Sequence, residues 1–150
     1  MIKVSSILIA LAFTVSIAWG HDSWISRGSY RSPPGTATEG MSCCGDNDCG
    51  VWTGNEGESI ELKSDGYHVD ATFTLPPNDA VQWKKPQPVV SFHLRQIIPE
   101  SQVTPVSKDG AYWACINWGI YNNQQQEGFT PEQRAASNPV RCFFAPPPGS

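Results

Sequence analysis

The segment with the clearest strand pattern is Ser59-Ile60-Glu61-Leu62-Lys63-Ser64-Asp65-Gly66-Tyr67-His68-Val69-Asp70-Ala71. It contains two runs in which polar and apolar side chains alternate, and Asp65-Gly66 separates them. Alternation with a period of two places the apolar side chains on one face of a strand, and an Asp-Gly pair favours the tight turn of a hairpin. The sequence therefore predicts an antiparallel β-hairpin at this point.

Further short strands are predicted on both sides of the hairpin. Runs rich in β-branched and aromatic residues lie between clusters of turn-forming residues, at 49–53, 89–94, 111–116 and 140–144, with a shorter run at 102–106. One short helix is predicted to begin at Thr130, which is followed by Pro131 and Glu132 in the order of a helix start. We expect a mainly β, antiparallel domain with long loops and at most one short helix.

The first twenty residues have the features of a secretory signal. Lys3 precedes an apolar run at 4–17, and the small residues Ala18 and Gly20 stand where a signal peptidase recognises its substrate. The run is shorter than a membrane span requires. We expect 1–20 to be removed, so that one domain, 21–150, resides in the periplasm or is secreted without stable membrane insertion.

The charge balance excludes some classes of partner. The chain has 10 basic and 14 acidic residues, and its formal net charge is −4. The basic residues form no cluster larger than the pair Lys84-Lys85. Because nucleic acids and anionic membranes attract basic surfaces, neither is an expected partner. The expected partner is a protein or a small ligand.

Cysteine usage agrees with export. The chain has five cysteines, which is many for a small domain, and an oxidising compartment would pair most of them. These disulfide candidates are Cys43, Cys44, Cys49, Cys115 and Cys142. The sequence leaves the connectivity and the odd cysteine open. We expect Cys49 to pair with Cys43 or Cys44 across the tight loop at 45–48, and Cys115 to bridge Cys142 if their strands are neighbours.

Several motifs together resemble those of a known group of proteins. These motifs are His21-Asp22-Ser23-Trp24-Ile25, Arg31-Ser32-Pro33, Cys43-Cys44-Gly45-Asp46-Asn47-Asp48-Cys49, Asp109-Gly110-Ala111-Tyr112-Trp113-Ala114-Cys115 and Arg141-Cys142-Phe143-Phe144-Ala145-Pro146-Pro147. The chain resembles an uncharacterised family of small exported proteins of alphaproteobacteria, especially rhizobia. The resemblance implies an exported location and a cysteine framework, and it implies nothing about chemistry. The segments 72–88 and 117–139 are longer than we expect for this family. Each insertion is therefore a candidate location for a feature that is particular to this protein.

Cleavage before His21 would create a metal-binding group. An N-terminal histidine offers its amine and a ring nitrogen to one ion, and a second histidine completes a nitrogen set that suits copper. His68 and His93 are the other histidines of the chain. A copper-binding or copper-dependent redox protein is therefore the alternative function, although any protein that is cut before a histidine begins with one.

Other sequence features favour binding over catalysis. The sequence contains no nucleophile elbow, no Gly-rich phosphate loop and no Cys-x-x-Cys motif. Tryptophans can form a face for sugars or for another protein. Trp113 and Phe143, beside cysteines, are predicted to be core residues, whereas Trp83 and Trp118 are predicted to lie at the surface. We interpret the chain as a non-catalytic binding or interaction protein whose ligand the sequence does not reveal.

Overall fold

The computed structural model describes residues 24–43, 48–76, 90–104, 106–125, 128, 130, 133 and 136–149. The predicted signal, His21 and Cys44 lie outside these residues. The strands are β1 (Cys49–Trp52), β2 (Ser59–Lys63), β3 (Gly66–Thr74), β4 (Ser91–Ile98), β5 (Trp113–Ile116) and β6 (Val140–Phe144). The helices are α1 (Trp24–Arg27), α2 (Trp118–Gln124) and a 3-10 turn at Glu100–Gln102. The predicted fold class, a mainly β antiparallel domain with disulfides, is confirmed.

The predicted hairpin is formed by β2 and β3. Ser59 pairs with Asp70 and Lys63 pairs with Gly66, so the two strands are joined by the two-residue turn Ser64-Asp65. Gly66 has a φ of 126°, and a Cβ atom there would collide with the carbonyl oxygen of Ile98. Glycine is therefore required at this turn by conformation and by space.

β3 is the central strand of a curled sheet. One of its edges pairs with β4, and the other pairs first with β2 and then with β1. The sheet continues from β1 through β5 to β6. The chain after β4 returns to β6, because Thr104 N–H donates to the Phe143 carbonyl at 2.8 Å and Ser107 N–H donates to the Ala145 carbonyl at 2.8 Å. The two ends of the sheet are thus linked.

The concave side of the sheet encloses the larger apolar cluster, here called the inner cluster. Alternate residues of β3 and β4 point inward, and their outward neighbours His93 and Arg95 are exposed. The inner cluster comprises Val69, Ala71, Phe73, Phe92, Leu94, Ile98, Ala114, Ile116, Val140, Phe143 and Ala145. Burial of these side chains supplies the main apolar contribution to folding.

A second apolar cluster, here called the disulfide cluster, lies behind β5 and β6. It comprises Ile25, Cys43, Trp113, Cys115, Cys142 and Phe144. Successive side chains of a strand point to opposite faces, so β5 gives Trp113 to this cluster and Ala114 to the inner one. Because β5 and β6 are covered on both faces, nearly all their residues are buried.

Two disulfides contradict the predicted connectivity. Cys43 is bonded to Cys142 and Cys49 to Cys115, at sequence separations of 99 and 66. The expected pairing of Cys49 with Cys43 or Cys44 is therefore wrong. Cys115 does lie opposite Cys142 in neighbouring strands, yet no bridge joins them.

The sheet register explains this choice of partner. Trp52 N–H donates to the Tyr112 carbonyl, and Ile116 N–H donates to the Asp48 carbonyl. Hydrogen bonding alternates along the ladder, so Cys49 and Cys115 form a non-hydrogen-bonded pair, in which opposite side chains are closest. The N–H and C=O groups of Cys115 therefore point toward β6. The pair of Cys115 with Cys142 is the hydrogen-bonded type, in which the two residues are farther apart.

The helices are short and locally determined. α1 is a single turn in a segment that the sequence indicates to be irregular, and its Trp24 packs edge-on against Phe144, with 5.0 Å between ring centres. α2 begins inside the 117–139 insertion, where the Asn117 side chain accepts a hydrogen bond from Ile120 N–H at 3.2 Å. At the predicted helix start, Gln133 N–H donates to Thr130 Oγ1 at 3.2 Å and Thr130 N–H donates to Gln133 Oε1 at 2.8 Å. This reciprocal pair is a capping box.

Candidate functional site

His68 and His93 lie on the outer face of the sheet, and both are engaged by neighbours. His68 Nε2 is 2.7 Å from Asp65 Oδ1. His93 Nε2 is 2.8 Å from Asp70 Oδ1, and its Nδ1 is 3.0 Å from Thr72 Oγ1. A metal ion at His93 would therefore have to displace one of these partners.

The two histidines are too far apart to share one ion. Thr72 is opposite His93, and His68 lies four residues before Thr72 in β3, which corresponds to about 13 Å along a strand. Among the described residues, no group of three His, Cys, Asp or Glu side chains is placed to hold a metal ion. His21 lies outside those residues, so copper binding by His21 with one other histidine stays a prediction.

A polar network connects His93 to Trp52 through Glu58, whose Oε1 lies 4.0 Å from His93 Nδ1. Burial would raise the pKa of Glu58, but hydrogen bonds from Thr72, Asn55 and Trp52 outweigh this effect and lower its pKa to about 2. Trp52 Nε1 donates to Glu58 Oε2 at 2.9 Å. The ionised carboxylate thus fixes the orientation of the Trp52 indole ring.

Asp70 anchors the other end of this network. Burial raises its pKa, but hydrogen bonds from His93 and Arg95 have the larger combined effect and the pKa is lowered. Arg95 contributes two contacts to Asp70 Oδ2, from Nε at 3.1 Å and from Nη2 at 3.0 Å. The side chains of the network therefore bind one another, and they link β3 to β4 on the outer face of the sheet.

The Trp52 ring borders a groove of about 610 Å³ at one end of the sheet. β1 ends here, β3 begins just before Tyr67, and the chain enters β5 after Tyr112. The segment after β6 forms another wall. The groove is lined by Trp52, Thr53, Gly54, Leu62, Tyr67, Gly110, Ala111, Tyr112, Pro146, Pro147, Pro148 and Gly149. We call it the aromatic groove.

The rings of Trp52, Tyr112 and Tyr67 form a row in the groove, and the planes of neighbouring rings are steeply inclined to each other. The Tyr112 ring centre is 5.7 Å from that of Trp52 and 6.2 Å from that of Tyr67, with interplanar angles of 65° and 69°. Phe143 lies beneath the two tyrosines, at 5.4 Å from Tyr67 and 6.0 Å from Tyr112. Since Phe143 is fully buried in the inner cluster, the rings rest on the core of the domain.

The described lining of the groove offers hydroxyl groups but no charge. Among the lining residues that the structure describes, none is Asp, Glu, Lys, Arg or His. Burial, and to a smaller extent the neighbouring Tyr67, raise the pKa of Tyr112. Within the part of the chain that the structure describes, neither phenol hydroxyl has a hydrogen-bond partner. Both hydroxyls can therefore donate to a ligand.

A smaller and more polar cavity of about 370 Å³ lies between β4 and α2. Its lining includes Arg95, Gln96, Gln124 and Gln125. The outer edge of β4 is partly covered here, because His93 N–H donates to the Tyr121 hydroxyl at 3.2 Å. Charged side chains and a covered N–H protect an edge strand from pairing with another chain. This protective role accounts for the polar residues here, so the cavity is the weaker candidate for a ligand site.

The sequence predictions for the aromatic residues have mixed outcomes. Trp113 and Phe143 are buried, as predicted, and Trp83 lies outside the described residues. Trp118 is only half-exposed, because it packs edge-on against Phe92 of the inner cluster, with 5.7 Å between ring centres. The groove tyrosines were not predicted. An available signal was that Tyr67 and Tyr112 each come shortly after an Asp-Gly turn, and such turns place them at strand starts.

Comparison with known proteins does not assign this site. The chain matched no protein-family model, no curated protein and no solved structure. Among the described residues, the helices are too short and too polar to span a membrane.

Proposed function

We propose that this chain is an exported, non-catalytic binding protein whose ligand occupies the aromatic groove. The observation that supports this proposal best is the groove itself, which combines three aromatic rings in edge-to-face contact with two phenol hydroxyls that have no partner among the described residues. Aromatic residues with a few placed polar groups are typical of ligand sites. The sequence signal and the disulfides support export to the periplasm or beyond.

The Glu58 network supports binding rather than turnover. Glu58 and Asn55 lie behind Trp52 and hold its indole ring, since Asn55 Nδ2 donates to Glu58 Oε2 at 3.1 Å. A ring that is fixed before the ligand arrives loses less conformational freedom on binding. The groove lining supplies stacking surfaces and hydroxyl donors, which position a ligand without changing it.

A pair of matched variants tests this proposal. Leu62 lines the groove and is 55% exposed, whereas Ile97, on the outer face of β4, is 46% exposed. Leu62→Arg places bulk and charge in the groove, and Ile97→Arg makes the same change elsewhere on the sheet. Both substitutions replace an exposed apolar residue in a strand, so both should leave folding nearly unchanged.

The measurement is binding of the mature wild-type protein and both variants to arrays of peptides and neutral oligosaccharides. We expect a ligand that the wild type and Ile97→Arg bind alike and that Leu62→Arg binds at least about tenfold more weakly. Equal binding by Leu62→Arg, or no binding to either array, would refute the groove as the ligand site.

A further inference from the structure

The shape of the aromatic groove distinguishes between kinds of ligand. Adjacent rings meet at 65° and 69°, so they form ridges with slots between them instead of one flat platform. Aromatic-lined grooves of this kind bind proline-rich segments in the polyproline II conformation. The ring spacings of 5.7 and 6.2 Å also correspond to about two residue rises of that helix, at about 3.1 Å each.

Hydrogen-bonding capacity favours the same ligand. The phenol hydroxyls of Tyr67 and Tyr112 are available as donors, whereas the Trp52 indole N–H is already bound to Glu58. Proline residues have no backbone N–H, and a polyproline II helix leaves its carbonyl groups open to outside donors. The groove thus presents donors to a backbone that offers only acceptors.

The walls of the groove favour an uncharged, apolar ligand. A charged side chain would find no opposite charge among the described residues of the lining. One wall is built from Pro146, Pro147 and Pro148 of the chain itself. Pyrrolidine rings therefore already lie beside the aromatic residues, and prolines of a ligand would extend this apolar surface.

We infer that the aromatic groove binds an uncharged proline-rich segment of another polypeptide in the polyproline II conformation. This inference rests on the proposed function, because it names the ligand class of the same site. The preformed polyproline II helix has little conformational entropy left to lose. It is therefore a suitable ligand for a groove with fixed rings.

Titration calorimetry with three probes tests the inference. The probes are octaproline, an alanine/serine octapeptide of the same length and chitohexaose. The proteins are the wild type, Leu62→Arg, Ile97→Arg and the double variant Tyr67→Phe/Tyr112→Phe, which keeps both rings and removes both hydroxyls. Circular dichroism and the thermal midpoint establish that each variant is folded. If Leu62→Arg does not fold, the phenylalanine variant provides the comparison.

We expect the wild type and Ile97→Arg to bind octaproline more tightly than either other probe. Loss of two hydroxyl donors should weaken octaproline binding by about tenfold, and Leu62→Arg should weaken it at least as much. Binding of octaproline no tighter than that of the alanine/serine peptide, or unaffected by the phenylalanine variant, would overturn the inference.

The remaining outcomes separate the inference from the proposed function. Selective binding of chitohexaose that is lost in Leu62→Arg would overturn the proline assignment but leave the groove as the ligand site. Absence of binding for every probe would count against the inference, and the array experiment above would then decide whether the groove binds any ligand.

Discussion

The inner cluster and the disulfide cluster lie on opposite faces of the same β5–β6 ladder, yet they are stabilised differently. The inner cluster consists of apolar side chains, such as the stacked pair Phe73 and Phe92, enclosed by the six-stranded sheet and the chain that returns to β6. The disulfide cluster covers β5 and β6 with residues 24–43, which contain one helical turn and one isolated β-bridge.

This contrast shows where covalent links are needed. A segment with few backbone hydrogen bonds to the sheet gains little from regular structure, so a cross-link supplies its attachment. The bond between Cys43 and Cys142 provides this attachment. The inner cluster contains no cysteine, and its side chains are held by packing against one another within the hydrogen-bonded sheet.

The largest expected effect comes from removing the covalent attachment. The bridge between Cys43 and Cys142 spans 99 residues, and the chain-entropy model assigns about 4–5 kcal/mol to a loop of that length. We expect Cys43→Ala/Cys142→Ala to lose about 4 kcal/mol of unfolding free energy in urea, together with the near-ultraviolet dichroism of Trp24. Cys49→Ala/Cys115→Ala is the matched comparison. This variant should keep the Trp24 signal, since its bridge lies within the sheet. Loss of that signal in both variants would contradict the idea that the Cys43–Cys142 bridge alone attaches the segment 24–43.

A somewhat smaller effect is expected from a cavity in the inner cluster. Phe73 is 0% exposed and stacks on Phe92 with 5.6 Å between ring centres. Phe73→Ala should lower the unfolding free energy by about 3 kcal/mol, measured in urea, while both disulfides still form. A loss below about 1 kcal/mol would show that the inner cluster is not the main packing unit.

A contact between β1 and β3 provides the next test. An alanine Cβ at Gly50 would lie 2.9 Å from the Phe73 Cβ, and atoms at this separation must shift. We expect Gly50→Ala to cost about 2–3 kcal/mol in thermal or urea unfolding, at the upper end of what overpacking costs. Gly54→Ala is the control, because Gly54 has open space but a φ of 78°, and it should cost only about 1 kcal/mol. An equal cost at both positions would refute the steric explanation.

The smallest expected effect concerns Glu58, whose pKa is lowered from 4.5 to about 2. A lowered pKa stabilises the folded state fully above about pH 4.5, and this contribution is lost as the pH falls through about 2. Glu58→Gln should cost about 1–2 kcal/mol at neutral pH and reduce the loss of stability between these two pH values. The control Glu61→Gln removes an exposed carboxylate that contacts Lys63 at 3.3 Å. An identical pH profile in both variants would refute the role of Glu58.

Local patterns predicted the parts of the fold that local physics determines. Strict alternation and the Asp65-Gly66 turn specified the β2–β3 hairpin, because strand faces and turn conformation depend on neighbours in sequence. The capping box at Thr130 is local in the same way. The partial burial of Trp118 is not encoded locally, because it depends on Phe92, which is remote in sequence.

Features that depend on distant pairing were not predictable. The partner of Cys49 follows from the register of β1 against β5, and no local spacing encodes that register. The aromatic groove likewise combines residues from strand ends and from the segment after β6. The two tyrosines become neighbours only when the sheet curls, so the sequence does not show that they are close together.

The position of Cys115 has a consequence for oxidative folding. In the finished sheet it stands directly opposite both Cys49 and Cys142. In an unfolded chain, however, oxidation favours short loops, and pairing Cys43 with Cys49 and Cys115 with Cys142 would close shorter loops than the native separations of 99 and 66. We therefore expect non-native bridges to form first and to be exchanged through mixed disulfides. The yield of the native protein would then depend on the disulfide-reshuffling capacity of the compartment in which it folds.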